Sequence, residues 1–76
     1  MSVDVDIKLL WDSSNKAVIE DGCYYEIVGI NDSGHAEWAL FDANGKELRC
    51  SPSWYYGIDS AKHEAQHDYV YVWRCL

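Results

Sequence analysis

Turn-forming clusters punctuate this chain at intervals of about ten residues, a rhythm that leaves room for little except short strands. The clusters are Asp12-Ser13-Ser14-Asn15, Asp21-Gly22, Asn31-Asp32-Ser33-Gly34, Asp42-Ala43-Asn44-Gly45 and Ser51-Pro52-Ser53. Asp-Gly and Asn-Gly are strong hairpin signals, because both tolerate the positive φ of a tight turn. Pro52 ends a strand because it has no N–H to give to a ladder.

The segments between the turns read as strands. Val3, Val5, Ile7 and Leu9 alternate with mainly polar residues, the period of a half-buried strand, and Trp11 extends the apolar side. Ala17-Val18-Ile19 is a short apolar run. Cys23 to Ile30, dense in Tyr, Ile and Val, reads as a central strand, and Gly29 inside it predicts a bulge or sharp bend. His35 to Phe41 reads as the next strand, with Trp38 and Leu40 on one face. Lys46 to Cys50 returns beside it, Leu48 and Cys50 pointing the same way. Trp54 to Ile58 is a compact aromatic cluster, read as a 3₁₀ turn running into a short strand. Asp59-Ser60 begins a short helix near residues 60–67, and Asp68 to Leu76 alternates like a final strand with two usable faces. The expected architecture is all-β with minor α. It is a small barrel or strongly bent antiparallel sheet of five to six strands, in a single domain over residues 1–76.

The stretch from Val5 to Asp59 resembles the small SH3-like barrel proteins common in phages and their bacterial hosts. The matching residues are Val18, Gly22, Tyr25 and Ile27, then Trp38, Asp42 and Gly45, then Leu48, Cys50, Pro52 and Trp54. The resemblance implies an SH3-like barrel and a binding or inhibitory role without a shared enzymatic activity. The tail from Ser60 to Leu76 lies outside the matched stretch.

A composition of 49% hydrophobic and 14% aromatic residues argues against disorder. The formal net charge is −7, from 13 acids against 6 Lys and Arg, which disfavours direct nucleic-acid binding. The opening residues, Met1 to Asp6, are acidic where a secretory leader is basic, and no apolar run approaches a membrane span. Cys23, Cys50 and Cys75 form no CxxC pair. They read as reduced thiols of a cytoplasmic protein (host cytoplasm if phage-encoded), buried as small apolar residues, with one internal disulfide as the alternative.

His63-Glu64-Ala65-Gln66-His67 fits H-E-x-x-H letter for letter. A seven-residue helix that ends at once in a strand is a poor platform for a zinc hydrolase, so the match reads as coincidence on a solvated turn. Metal binding through His63 and His67 is the alternative, its third ligand drawn from His35, Asp68 or Cys75. No nucleophile arrangement and no phosphate-binding loop is present, and no cofactor is expected.

The charge is uneven along the chain. Between Lys16 and Lys46 stand six acids (Glu20, Asp21, Glu26, Asp32, Glu37 and Asp42) and no Lys or Arg, whereas residues 46–76 are neutral overall. Solubility is the plain explanation. The sharper one is a face for a basic protein partner, with Glu26, Asp32, Glu37 and Asp42 supplying charge and Trp54 or Tyr55 anchoring the contact. Asp4 and Asp6, about 6.6 Å apart on one strand face, would match phosphate spacing. Reversal of Asp59, Glu64 or Asp68 is expected to matter little. The function expected is a non-enzymatic acidic binding module, an inhibitor of a host nucleic-acid enzyme of the anti-CRISPR or anti-restriction type. An immunity-type or adaptor protein for a basic or proline-rich partner is the alternative.

Overall fold

The computed structural model describes residues 8–72. In chain order it contains β1 (Lys16–Val18), a 3₁₀ turn (Glu20–Gly22), β2 (Tyr24–Ile30), β3 (His35–Phe41), β4 (Glu47–Cys50), β5 (Tyr55–Tyr56) and α1 (Gly57–Tyr71). The strands form one antiparallel five-stranded sheet in the order β1-β2-β3-β4, with β5 also on β3. Fold class is therefore all-β with one helix. The sheet is open among the described residues, since β1 and β4 end the path and do not pair with each other. Val3 to Ile7 of the first expected strand lie outside the described residues. Lys8 to Trp11 are not in a strand. Leu9 is nevertheless buried, and its N–H donates to Gln66 Oε1 at 2.7 Å.

β4 and β5 occupy the same side of β3. Arg49 lies opposite Leu40 and Cys50 opposite Ala39, while Tyr55 lies opposite Ala36 and Tyr56 opposite His35. The Ser51 N–H continues the ladder to the Trp38 carbonyl at 2.9 Å. Residues 47–56 thus make one edge, interrupted where Pro52 removes a donor.

Three loops share one design. In the Asp12, Asn31 and Asp42 turns the backbone N–H of the first residue donates to the carbonyl of the fifth. The carbonyl of that first residue accepts from the fourth. Its side-chain Oδ1 then accepts from the N–H groups of the third and fifth residues, at 2.8 to 3.1 Å. The fourth residue carries positive φ each time: Asn15 at 60°, Gly34 at 82° and Gly45 at 86°. The Asp/Asn side chain closes the turn and the fourth residue supplies the left-handed step.

Alternation then sorts the faces. Tyr25 and Ile27 of β2, Ala36, Trp38 and Leu40 of β3 and Ala17 of β1 are buried on the inner face. The predicted irregularity at Gly29 is present as a register shift between Ile27 and Gly29.

Helix α1 covers that inner face, and here the sequence reading needs two corrections. The helix runs from Gly57 to Tyr71, well beyond residues 60–67. Asp68 to Tyr71 are consequently helical, not the start of a last strand, and Trp73 to Leu76 lie outside the described residues. The reason is packing. Ala61, Ala65 and Asp68 fall at helical spacing and are all buried. The two alanines let the helix axis approach the sheet closely, and tertiary contact overrides the β-preference of Tyr69 and Val70. Nor does Asp59-Ser60 cap the helix: Tyr56 occupies that position without a side-chain cap, and the Gly57 N–H donates to the Gly34 carbonyl at 3.0 Å.

Candidate functional site

On the face of the sheet opposite α1, Ala39 has no exposed surface, while Glu26 and Glu37 are half-buried. Glu26 alternates with Tyr25 and Ile27, and Glu37 with Ala36 and Trp38, so both carboxylates stand on this outer face. Ala39 lies between them in register, opposite Glu26. Tyr24 and Phe41 stack beside it with ring centroids 5.1 Å apart, and the Lys16 ammonium sits 4.7 Å over the Tyr24 ring. Trp54 reaches the same face from the edge and lies across Gly29. A methyl group placed on Gly29 would stand 2.9 Å from Trp54 Cη2 and 3.3 Å from Glu37 Cγ. Glycine at 29 therefore leaves room for the indole to lie against the sheet beside Glu37. Trp54 remains 46% exposed.

The structure thus brings three of the six expected partner-binding residues together and separates the others. Glu26, Glu37 and Trp54 share the outer face. Asp32 is exposed at the tip of the β2–β3 turn, at the Gly29 end of that face. Asp42 sits at the opposite end, where its carboxylate is engaged in closing its own turn. Tyr55 belongs to the other side: it is half-buried and packs against the core under α1.

On that other side lies a network that the sequence reading missed. The Tyr25 hydroxyl donates to Asp68 Oδ2 at 2.6 Å, and Arg49 Nη2 donates to Asp68 Oδ1 at 2.6 Å. Asp68 is buried and paired, contrary to its expected tolerance of reversal: a Lys there would lose the Tyr25 and Arg49 bonds and set a like charge beside Arg49. The Ala61-Ala65-Asp68 spacing was the available signal. Burial, then the Asp68 bond and charge, push the Tyr25 phenol far above its ordinary 10.0. Beside this network a cleft of about 180 Å³ opens between α1 and the β4–β5 edge, with Trp38, Arg49, Tyr55 and His67 in its wall.

The cysteines behave differently from one another. Cys23 is buried, as expected, and burial, reinforced by Asp21, Asp42 and Glu20, raises its thiol above the ordinary value. Cys50 is exposed on the edge strand, which corrects the expectation of a buried residue; β4 carries no helix over its outer side. His63 and His67 are both exposed on α1, and the His67 ring packs against Tyr71 at 4.7 Å. His35 instead meets Tyr56, at 4.5 Å, and Asp68 is committed to Arg49 and Tyr25. No group of three His, Cys, Asp or Glu able to hold a metal occurs among the described residues. No helix among them is long and apolar enough to cross a membrane.

Comparison with protein-family models, with curated proteins and with solved structures finds no match for this chain.

Proposed function

We propose that the protein is a non-enzymatic binding module that engages a basic protein surface through the helix-free face of its sheet. The observation that carries this reading is the meeting of Glu37 and the half-exposed Trp54 over Gly29, with Glu26 on the same face. Carboxylates beside an exposed indole suit Arg and Lys side chains, which gain both ion pairing and stacking. An acidic domain of this size can occupy the phosphate-binding channel of a nucleic-acid enzyme, and inhibition of such an enzyme, of the anti-CRISPR or anti-restriction type, is the role we favour. It acts by steric and electrostatic blocking in the cytoplasm.

Two measurements test this. Binding to an immobilised arginine-rich peptide is compared at about 50 and about 300 mM salt, and should weaken steeply as screening grows. In parallel, the protein is added to guide-directed and restriction nucleases, and DNA cleavage should fall with increasing protein. Salt-independent affinity for the peptide would remove the electrostatic mechanism. Peptide binding without inhibition of any nuclease would leave an adaptor or immunity-type protein for a basic partner.

A further inference from the structure

Two aromatic rings of this chain hold one of its own cations. The Lys16 ammonium stands 4.7 Å over the Tyr24 ring, and that of Lys62 stands 5.4 Å over Trp11. Trp54 and Tyr56 are exposed by 46% and 83%, and among the described residues neither holds a cation. Both stand on the outer face. Tyr56 lies opposite His35 in register, and their ring centroids meet at 4.5 Å. Trp54 crosses the neighbouring rung, where Gly29 lies opposite Glu37. His35 and Glu37 are two residues apart on β3, so the two rungs are about 6.6 Å apart.

That spacing selects a flat occupant. A group stacked between two walls needs about 3.5 Å on each side, about 7 Å in all. The charge of the surroundings selects a cation. Glu37 is half-buried beside the indole, and among the described residues its carboxylate makes no hydrogen bond or ion pair. A partly desolvated carboxylate gains most from an opposite charge. The chain supplies none nearby in sequence, since no Lys or Arg falls between Lys16 and Lys46, and Asp32 adds a further acid at the adjoining turn. A guanidinium meets both demands: it is planar, it stacks on aromatic faces, and it pairs with a carboxylate through two parallel N–H bonds.

We propose that the outer face takes one arginine side chain of its partner protein, with the guanidinium between Trp54 and the His35–Tyr56 pair and bonded to Glu37. The inference rests on the binding face proposed above and deepens it. The face then selects arginine and not basic charge in general, and Tyr56 and His35 join Trp54 and Glu37 in holding it.

The test uses the whole chain and an arginine-rich peptide. Tyr56→Ala should weaken binding about threefold to tenfold, and Tyr56→Phe, which keeps the ring, by less than about twofold. Tyr71→Ala, which removes a tyrosine 64% exposed on α1, should change nothing. Against a lysine peptide of the same length, Tyr56→Ala should cost less than about twofold. Trp54→Ala combined with Tyr56→Ala should weaken arginine binding by less than the product of the two single losses, because both rings act on one guanidinium. If the parent binds with the expected salt dependence but Tyr56→Ala binds equally well, or if the two losses simply multiply, the arginine cradle is overturned and the acidic binding face stands. If the parent does not bind the peptide at all, both readings fall.

Discussion

The Tyr25 hydroxyl and the Asp68 carboxylate meet at 2.6 Å across forty-three residues of chain, joining the central strand to the helix. Tyr25 is fully buried and Asp68 is 5% exposed, so neither group can turn to water instead. Tyr25→Phe should therefore cost about 1–3 kcal/mol, read as a lower urea midpoint with unchanged slope. The same bond sets an alkaline limit. In the folded chain the phenol titrates far above its ordinary 10.0, and Cys23 titrates above its ordinary 9.0. In the unfolded chain both ionise near those ordinary values, so the folded state then holds more protons. The stability that these two groups contribute should be constant well below pH 9 and fall steadily above it, first through Cys23 and then through Tyr25. Denaturation midpoints of Tyr25→Phe should fall less between pH 10 and 11 than those of the parent; parallel curves would show that Tyr25 ionises freely.

The three matched turns differ in one respect that predicts a ranking. Gly45 and Asn15 occupy the same left-handed position, at φ 86° and 60°. Gly45→Ala places a Cβ in that region and should destabilise by about 1 kcal/mol. Asn15→Gly should change stability by no more than about 0.5 kcal/mol, because glycine enters the conformation easily but loses more freedom on folding. Thermal midpoints of the two variants should differ in that direction.

Packing of α1 gives a third test. Ala65 has no exposed surface and faces the sheet. Ala65→Leu should cost about 1–3 kcal/mol, since the helix can accommodate the larger side chain only by moving away. Ala61→Leu should behave similarly. Amide exchange should protect Tyr69 and Val70 as helical residues, whereas a strand at 68–71 would give cross-strand contacts instead.

What was legible in the sequence divides along a physical line. The turns were readable because Asp12, Asn31 and Asp42 act on their own neighbours through local hydrogen bonds, and so were the strands between them. The bulge at Gly29 was readable from a glycine standing inside a strand, although its consequence for Trp54 was not. The end of α1 was not readable, because Tyr69, Val70 and Tyr71 have the composition of a strand and become helical through contacts with a distant sheet. Asp68 looked like a solvated acid until Tyr25 and Arg49, far away in sequence, closed around it. In the candidate site, Glu26 and Glu37 were nameable from charge alone, while the separation of Trp54 from Tyr55 onto opposite faces depends on how the edge resumes after Pro52.

Gly29 offers the most direct test of the outer face. Its substitution by Ala leaves every charge in place and adds one methyl group, 2.9 Å from Trp54 Cη2 and 3.3 Å from Glu37 Cγ. Both side chains must shift, and the indole should lift away from the sheet and from Glu37. If the pairing of Glu37 with Trp54 creates the binding surface, Gly29→Ala should weaken association with an arginine-rich peptide several-fold, nearly as much as Trp54→Ala. Glu26→Lys with Glu37→Lys should abolish it, and Asp32→Lys should lower mainly the association rate, because that acid stands at the rim. A peptide rich in lysine should respond less to Trp54→Ala than the arginine peptide does, since guanidinium stacks on an indole better than ammonium. Equal binding by Gly29→Ala and the parent protein, with the fold intact by circular dichroism, would show that charge alone draws the partner and that Trp54 has no part in holding it.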